Sequence, residues 1–291
     1  MNDEIMDQYR EAGRLARKII NKAAQWVVPD ASVADLADAI CMMVGEEDAG
    51  LAFPPNISLN EAAAHDTAAP GDERIFEKGD LVKLDIGLHL DGYIADTALT
   101  IDLGNHAPLV AASRAALDAA ISLARPGTAA GEIGSAVQET ITGRGFKPVA
   151  NLTGHGLDRY SLHAPPTIPN IGSGGGMILK EGMVIAIEPF ASTGNGRVSE
   201  GNRVEIFSQI TVKPIRIPAG RKILEEIRDR RGLPFARRWL KTDRADLALT
   251  ALIRQGIIRS YPVLQDMPGS FVSQTEDTII ITEDGCIVTT R

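Results

Sequence analysis

The fold is decided by one hairpin sequence, Leu84-Asp85-Ile86-Gly87-Leu88-His89-Leu90-Asp91-Gly92-Tyr93-Ile94-Ala95-Asp96. Asp-Gly between apolar runs is a strong short-range signal for a two-residue β-turn. A turn at Asp91-Gly92 places Asp85 opposite Ala98, so that Asp96 lies diagonally across from Asp85 on the same face. Residues in that relation have backbones about 7–8 Å apart. The two carboxylates are therefore predicted to converge, close enough for both to reach metal ions held between them.

Two further carboxylates follow the same logic. Glu188 ends the apolar run 183–187, and Glu276 comes just before the apolar run 278–282. Carboxylates beside apolar strands are costly unless a cation neutralises them or the face is solvated. Two Asp, two Glu and a His together suit a pair of divalent ions such as Mn, Fe, Co or Zn. Such a pair can clamp both sides of a hydrolytic transition state.

The chain contains an internal repeat. Segment 79–85 matches segment 182–188, and each is preceded by a proline with the same pattern after it. Each unit is predicted as a helix, a second helix started by the proline, and a strand that ends on a carboxylate. The sequence therefore predicts a duplicated α+β fold with pseudo-twofold symmetry. The matching residues at +6, +7, +10 and +11 are Asp35, Leu36, Ala39 and Ile40 after Pro29, and Glu132, Ile133, Ala136 and Val137 after Pro126.

Composition excludes several classes of protein. The 291 residues include 30 Lys+Arg, 38 Asp+Glu and 44% hydrophobic residues, which is typical of one large or two small globular domains. Cys41 and Cys286 form neither a metal-binding spacing nor a disulfide framework, which favours a reducing compartment. The acidic N-terminus is unlike a signal peptide, and no apolar run reaches the roughly 20 residues of a membrane span. We therefore expect a cytoplasmic protein.

One stretch departs from the acidic background. Residues 221–254 contain ten Lys or Arg and five Asp or Glu, a local charge of +5 that leaves −13 for the rest. The spacing of Leu and Ile within it favours short amphipathic helices, so we predict a helical insert in the second unit. Its charge fits either contact with RNA or the ribosome, or a solvated basic helix face.

The five histidines differ in their surroundings. His155 lies between two glycines, which suits either a metal ligand at a sheet rim or a loop histidine bonded to backbone. His163 is a candidate for supporting a ligand or contacting substrate, and His65 ends a loop ahead of the hairpin. We interpret His89, near the hairpin tip, as structural and His106 as an exposed loop residue.

Taken together, these segments resemble the methionine aminopeptidases, most closely the type 2 subfamily in its short, archaeal-like form. The resemblance covers nearly the whole chain. It implies the duplicated pita-bread (creatinase/aminopeptidase) fold, with a catalytic domain of residues 1–213 and 265–291 and a helical insert subdomain of residues 214–264. The segments that carry it are Phe53-Pro54, Ser58-Leu59-Asn60, Ala63-Ala64-His65, Lys83-Leu84-Asp85-Ile86-Gly87 with Asp96, Asn151-Leu152-Thr153-Gly154-His155, Ala186-Ile187-Glu188-Pro189-Phe190 and Gln274-Thr275-Glu276.

The resemblance also implies a site. A metal-bridged water would attack the scissile carbonyl with Glu188 as base, His163 would hold that carbonyl, and His65 would contact the scissile nitrogen and donate a proton to it. Phe53 and Leu162 would line the pocket for the methionine side chain. Two divalent ions (Co, Mn, Fe or Zn) would be held by Asp85, Asp96, His155, Glu188 and Glu276.

The expected function is removal of initiator methionine from nascent polypeptides when the second residue is small, by a monomeric enzyme that does not bind membranes. One alternative is an Xaa-Pro peptidase of the same fold, against which the helical insert argues. The other is a non-catalytic module that binds RNA or the ribosome, against which the complete ligand set argues. The basic insert keeps the ribosome as an expected partner of the enzyme as well.

Overall fold

The computed structural model describes residues 1–291. The six helices are α1 Asp3–Ala24, α2 Val33–Glu46, α3 Ala107–Leu123, α4 Ala130–Thr142, α5 Pro218–Glu226 and α6 Ala245–Arg254. None of them combines the length and the apolar character needed to cross a lipid bilayer. The strands are β1 Gly50–Leu51, β2 Asn56–Leu59, β3 Ala62–Ala64, β4 Leu81–Leu90, β5 Tyr93–Asp102, β6 Lys147–Pro148, β7 Thr153–Asp158, β8 Ser161–Pro169, β9 Val184–Ile187, β10 Phe190–Ser192, β11 Ser199–Gln209, β12 Phe235–Ala236, β13 Ile258–Gln265, β14 Val272–Gln274, β15 Asp277–Ile281 and β16 Cys286–Val288.

The helices of the two repeated units begin later than predicted. Pro29 and Pro126 each lie four residues before the first residue of the following helix, Val33 or Ala130. The prolines therefore shape the preceding loops and do not start the helices. In the first unit the start is fixed instead by Ser32, whose hydroxyl accepts a hydrogen bond from the Asp35 amide at 3.2 Å and so satisfies one free donor of the first turn.

The hairpin has the predicted register. Asp91 and Gly92 both have positive φ, 45° and 91°, as a two-residue type I′ turn requires. Asp85 lies opposite Ala98 in the β4–β5 ladder, which confirms the predicted pairing. However, β4 continues past Asp85 to Leu90, so the first repeated strand does not end on its carboxylate.

Each unit packs two helices against its own sheet. Helices α1 and α2 share one hydrophobic core with strands β4 and β5, and α3 and α4 share another with β9 and β15. The first sheet has the order β1-β4-β2 with β5 on β4, and the second has the order β16-β15-β9-β7-β8. A third core joins the two halves, since it contains Phe53 and Ile94 from one and Leu157 and Val184 from the other.

The basic stretch and the three residues before it form α5, α6, β12 and two 3-10 turns, Arg228–Arg230 and Arg237–Trp239. These elements share a core of their own with the flanking strands β11 and β13. Strand β13 also pairs with β3, the strand that precedes His65. The division into residues 214–264 and the remainder stays a prediction, but this pairing shows how the stretch reaches the first half of the molecule.

Candidate metal centre and active site

Two pairs of strands bring the four carboxylates together. Asp85 on β4 and Asp96 on β5 are diagonal neighbours because of the hairpin register. Glu188 follows β9, and Glu276 precedes β15; these strands are antiparallel partners, with Asp277 opposite Ile187. The amide of Glu276 donates to the carbonyl oxygen of Ala98 at 2.9 Å, which joins the second pair of strands to the hairpin.

Burial makes this carboxylate cluster electrostatically expensive. Asp96 and Glu276 are only 3% and 2% exposed. Burial raises the pKa of Asp85 to about 7. Burial raises the pKa values of Asp96, Glu188 and Glu276 well above their usual range, and repulsion from neighbouring carboxylates raises them further. Four acids held this way favour either protonation or a bound cation.

Buried carboxylate oxygens without a hydrogen-bond partner favour a bound cation over protonation. Asp85 Oδ1, Asp96 Oδ1 and Glu276 Oε1 are buried and have no hydrogen-bond partner. The only side-chain donor shared by these acids is Gln274, whose Nε2 lies 3.3 Å from Asp85 Oδ2 and 3.2 Å from Glu276 Oε2. Buried polar atoms are nearly always satisfied in folded proteins. The residues present therefore fit a divalent metal site.

His155 completes this cluster. Its Nε2 lies 3.6 Å from Glu188 Oε1 and 3.8 Å from Asp96 Oδ2. Its Nδ1 lies 3.3 Å from the carbonyl oxygen of Gly156, so Nδ1 carries the proton and Nε2 has a free lone pair. Burial lowers the pKa of His155 to about 4, which keeps the ring neutral. Ligand atoms of Asp96, His155 and Glu276 lie within 4.8 Å of one another, and such nitrogen and oxygen donors suit first-row divalent ions.

The other two candidate histidines line the same cavity. His65 has a positive φ of 63°, and its Nδ1 lies 3.2 Å from the carbonyl oxygen of Pro262. The His163 ring contacts that of His155, with ring centres 4.6 Å apart. Burial lowers the pKa of His65 to about 4. Burial, followed by repulsion from His155 and His65, lowers the pKa of His163 to about 3. Both rings are neutral near pH 7.

All nine candidate residues line one cavity of about 70 Å³. Phe53 and Leu162 form part of its apolar wall. The Phe53 ring lies against Gly87, where a Cβ atom would come within 2.1 Å of Phe53 Cε1. Conversely, His89 and His106 do not line the cavity. His89 accepts from the Gly92 amide at the hairpin tip, and His106 is half-buried against the Phe271 ring, so it is less exposed than predicted.

Sequence reasoning missed five further wall residues. Asn56 lies directly opposite Asp85 in the β2–β4 ladder, and a strand prediction for residues 56–59 would have revealed it. Ala64 could have been inferred from its position directly before His65. Nothing local indicates Ile206, Tyr261 and Pro234, because the first two arrive from distant strands and the third from the basic stretch. The missed residues are Asn56, Ala64, Ile206, Pro234 and Tyr261.

Comparison with known proteins places this chain in a family. A family model described as metallopeptidase family M24 matches residues 7–283. A methionine aminopeptidase from Archaeoglobus fulgidus is 45% identical over 292 residues, covering 100% of both chains. Another from Methanocaldococcus jannaschii is 42% identical over 294 residues, again covering 100% of both. The chain belongs to metallopeptidase family M24, in its methionine aminopeptidase branch. Both of these M24 relatives are archaeal, as the resemblance to the short archaeal-like form predicts.

Solved structures confirm the pita-bread fold. The M24 chain superimposes on a thermophilic Arx1 with a TM-score of 0.89 and 20% identity, covering 99% of this chain and 91% of that one. A methionine aminopeptidase from Thermotoga maritima gives a TM-score of 0.75 and 24% identity, covering 100% and 98%. Membership of M24 means that this metallo-aminopeptidase uses divalent metal, in agreement with the fit of the carboxylate cluster.

Proposed function

We propose that this chain removes N-terminal methionine from nascent polypeptides whose second residue is small. The observation that carries the proposal is one cavity in which four carboxylates, three histidines and an apolar wall meet. It is supported by full-length relatives, named methionine aminopeptidases, at 40–45% identity. Their length agrees with that of this chain, so the likeness covers every proposed site residue.

The proposed metal site holds two divalent ions, chosen among Co, Mn, Fe and Zn. Asp85, Asp96, His155, Glu188 and Glu276 would hold these ions, with Asp96 and Glu276, the two most buried of the four acids, shared between them. The unpartnered carboxylate oxygens and the free Nε2 of His155 support this assignment. When bound, such ions lower the pKa of water and stabilise the negative charge that develops in hydrolysis.

The remaining roles follow from the state of each side chain. Glu188 accepts a proton from the attacking water, and His163 donates to the carbonyl oxygen of the scissile bond. His65 donates from Nδ1 to Pro262, so its neutral ring presents Nε2 as an acceptor for the scissile N–H. Because this nitrogen of His65 carries no proton, the proton that the leaving amine needs is the one that Glu188 took from the water. Phe53 and Leu162, on the apolar wall, contact the methionine side chain.

Peptide hydrolysis tests this proposal directly. The metal-reconstituted protein should release methionine from Met-Ala-Ser and little leucine from Leu-Ala-Ser. Replacing Glu188 by Gln should abolish turnover while the protein stays folded by circular dichroism. If no methionine is released with Mn, Fe, Co or Zn, the proposal is wrong.

An Xaa-Pro peptide panel in the same assay addresses the alternative peptidase. A prolidase from Pyrococcus furiosus shares the fold at 21% identity and a TM-score of 0.66, and that likeness extends to the fold alone. Faster cleavage of Xaa-Pro peptides than of Met-Ala-Ser would favour the alternative. Absence of any hydrolysis, with metal bound, would favour a non-catalytic module.

We also propose that the basic insert helps the enzyme to associate with ribosomes. Its charge is less available than the residue count suggests, because three central arginines are engaged. Arg237 pairs with Asp246 and Glu205, Arg238 pairs with Asp38 of α2, and Arg230 donates to the carbonyl oxygens of Ala52 and Pro234. The solvated basic face thus consists of exposed residues such as Arg221, Lys222 and Arg254.

Cosedimentation with ribosomes tests this second proposal. Replacing Arg216, Arg221 and Lys222, which are exposed and make no ion pair, by Gln should weaken binding at low salt. Ribosome binding that is unchanged both by salt concentration and by these substitutions would contradict this second proposal. We further propose that the enzyme is cytoplasmic, which is consistent with its two free cysteines. We also propose that it is a monomer, so light scattering should give a mass near 31.1 kDa.

A further inference from the structure

The active-site cavity continues toward the basic insert. A neighbouring cavity of about 180 Å³ shares four lining residues with it: Leu162, His163, Pro234 and Tyr261. A third cavity of about 950 Å³ shares Gln209, Ile210, Arg231 and Gly232 with the second. The three cavities therefore form a path from the metal centre to the surface of the insert.

Two arginines flank the middle of this path. The Arg231 guanidinium lies 4.4 Å from the centre of the Tyr160 ring, and that of Arg259 lies 5.2 Å from the centre of the Tyr261 ring. Both arginines are exposed. Unlike Arg237 and Arg238, neither has a carboxylate within ion-pair distance. The aromatic rings hold the two cations in position while their N–H donors stay free.

The position of Arg259 ties this pair of cations to the catalytic residues. Arg259 and Tyr261 are two residues apart on β13, so their side chains leave the same face of the strand. Tyr261 lines both the catalytic cavity and the neighbouring one, and its ring also contacts that of His65, with ring centres 5.4 Å apart. A group bound at Arg259 thus lies immediately beside the catalytic cavity.

We propose that Arg231 and Arg259 form a subsite for carboxylate groups of the substrate downstream of its second residue. This inference rests on the proposed function, because it takes the N-terminal methionine to occupy the catalytic cavity. An extended peptide advances about 3.3–3.6 Å per residue, so its third to fifth residues pass through the neighbouring cavity. The carboxylate comes either from an Asp or Glu side chain or from the C-terminus of a short peptide.

The number of cations favours a peptide over a nucleic acid. Arg231 and Arg259 are the only Lys or Arg residues that line the 180 Å³ cavity, whereas the outer cavity adds Lys213, Arg221 and Arg228 together with the acid Glu225. A protein that makes about 6–10 phosphate contacts binds nucleic acid with a steep salt dependence, whereas the two cavities together offer five cations, spread over the path. Two fixed guanidinium groups beside a catalytic cavity instead match one or two carboxylates.

Paired peptides test the subsite. One pair of amidated peptides, Met-Ala-Ser-Glu-Ser and Met-Ala-Ser-Gln-Ser, differs in a side-chain carboxylate. A second pair, Met-Ala-Ser as free acid and as amide, differs in the terminal carboxylate. We expect the carboxylate member of at least one pair to have a kcat/KM about threefold higher at low salt, the size of an exposed ion pair. The preference should shrink at 1 M salt, where the Debye length is about 3 Å.

Variants assign the preference to the two arginines. In the double variant Arg231→Gln/Arg259→Gln the ratio of kcat/KM values should fall to about one. The matched control is Arg254→Gln, since Arg254 is exposed, lies in the same insert and lines none of the three cavities; it should keep the wild-type ratio. The pair of peptides that shows the preference identifies the source of the carboxylate.

Three outcomes would overturn the subsite. They are a kcat/KM ratio of one for both peptide pairs in the wild type, a preference that is unchanged in the double variant, and binding of oligouridylate to the wild type that the double variant loses. The last would assign the two arginines to RNA. Failure of the proposed function is distinct, because the wild type would then release no methionine from any of the four peptides.

Discussion

Gly87 shows how one missing side chain shapes the apolar wall. A Cβ atom there would meet three ring atoms of Phe53 at 2.1–2.8 Å, so the ring must move if the residue is enlarged. We predict that Gly87→Ala lowers kcat/KM for Met-Ala-Ser roughly 10- to 100-fold, the usual consequence of misplacing a substrate contact by about 1 Å. Steady-state kinetics at saturating metal would measure this.

The control for Gly87 is Gly45, an exposed position in α2 where an added Cβ atom would have no neighbour within 4 Å. Gly45→Ala should leave kinetics unchanged and raise the free energy of unfolding by up to about 1 kcal/mol. Wild-type kinetics in Gly87→Ala would mean that Phe53 does not contact substrate.

Asp72 is a buried anion between two arginines. It accepts from Arg74 Nη2 and from Arg203 Nη2, each at 2.8 Å, and so joins the loop after His65 to β11. Although burial acts to raise it, hydrogen bonds from Arg74 and from backbone amides hold the pKa of Asp72 well below its usual range. The stabilisation is therefore fully present above the unfolded pKa of about 4 and is lost as the pH falls below it.

We predict that Asp72→Asn lowers the free energy of unfolding by about 2 kcal/mol at pH 7. The difference from the wild type should narrow as the pH falls below about 4, where the unfolded-state aspartate takes up a proton. Urea titrations at several pH values would show this. Asp284→Asn, at an exposed position, should change stability by less than about 0.5 kcal/mol; a pH-independent loss in Asp72→Asn would contradict the ionic origin.

At the scale of elements, the β4–β5 hairpin sets the position of two proposed ligands. Its turn needs Gly92, which has a φ of 91° and whose Cβ would meet the Tyr160 ring at 2.3 Å. We predict that Gly92→Ala destabilises the protein by about 2–3 kcal/mol, of which roughly 1 kcal/mol is backbone strain. Thermal unfolding followed by circular dichroism would measure the loss.

Gly127 provides a control that separates the backbone strain of a positive φ from the clash with a neighbouring side chain. Its φ is 92°, and a Cβ atom added there would have no neighbour within 4 Å. Gly127→Ala should therefore lose only the roughly 1 kcal/mol of strain. If both variants lost the same free energy of unfolding, the clash with the Tyr160 ring would add nothing to the cost of Gly92→Ala.

At the scale of the whole molecule, the proposed metal site joins the two halves. Asp85 and Asp96 belong to the first, whereas His155, Glu188 and Glu276 belong to the second. We predict that Mn²⁺ at 100 times its dissociation constant stabilises the chelator-treated protein by about 2.7 kcal/mol. This corresponds to a rise in Tm of roughly 5–10 °C, measurable by scanning calorimetry.

Asp96→Asn should lose most of that rise, because it removes a proposed bridging ligand. The control Glu283→Gln, at an exposed position far along the C-terminal segment, should keep it. A Tm unaffected by Mn²⁺, Fe²⁺, Co²⁺ or Zn²⁺ in the wild type would argue against a site that spans both halves.

The sequence pattern was sufficient to predict features whose geometry depends only on neighbouring residues. Side chains alternate along strands and the Asp-Gly turn has one preferred form, so the relation between Asp85 and Asp96 follows from their spacing. The repeat similarly indicates the two-unit α+β fold. The charge count overestimated the positive charge available on the surface of the insert. Arg230, Arg237 and Arg238 are engaged by backbone carbonyls and by acids, and one of these acids, Asp38, is 200 residues away in sequence.

The sequence by itself determined the hairpin register, the duplication and, through the residues resembling a known family, the set of candidate ligands. Only the tertiary structure decided which side chains share the cavity. Tyr261 enters it because β13 pairs with both β11 and β3, and Pro234 enters it because it directly precedes β12, which pairs with β11. Arg231 and Arg259 line the neighbouring cavity although they are 28 positions apart in sequence. Contacts between distant strands depend on how the whole core packs, and no local spacing encodes them.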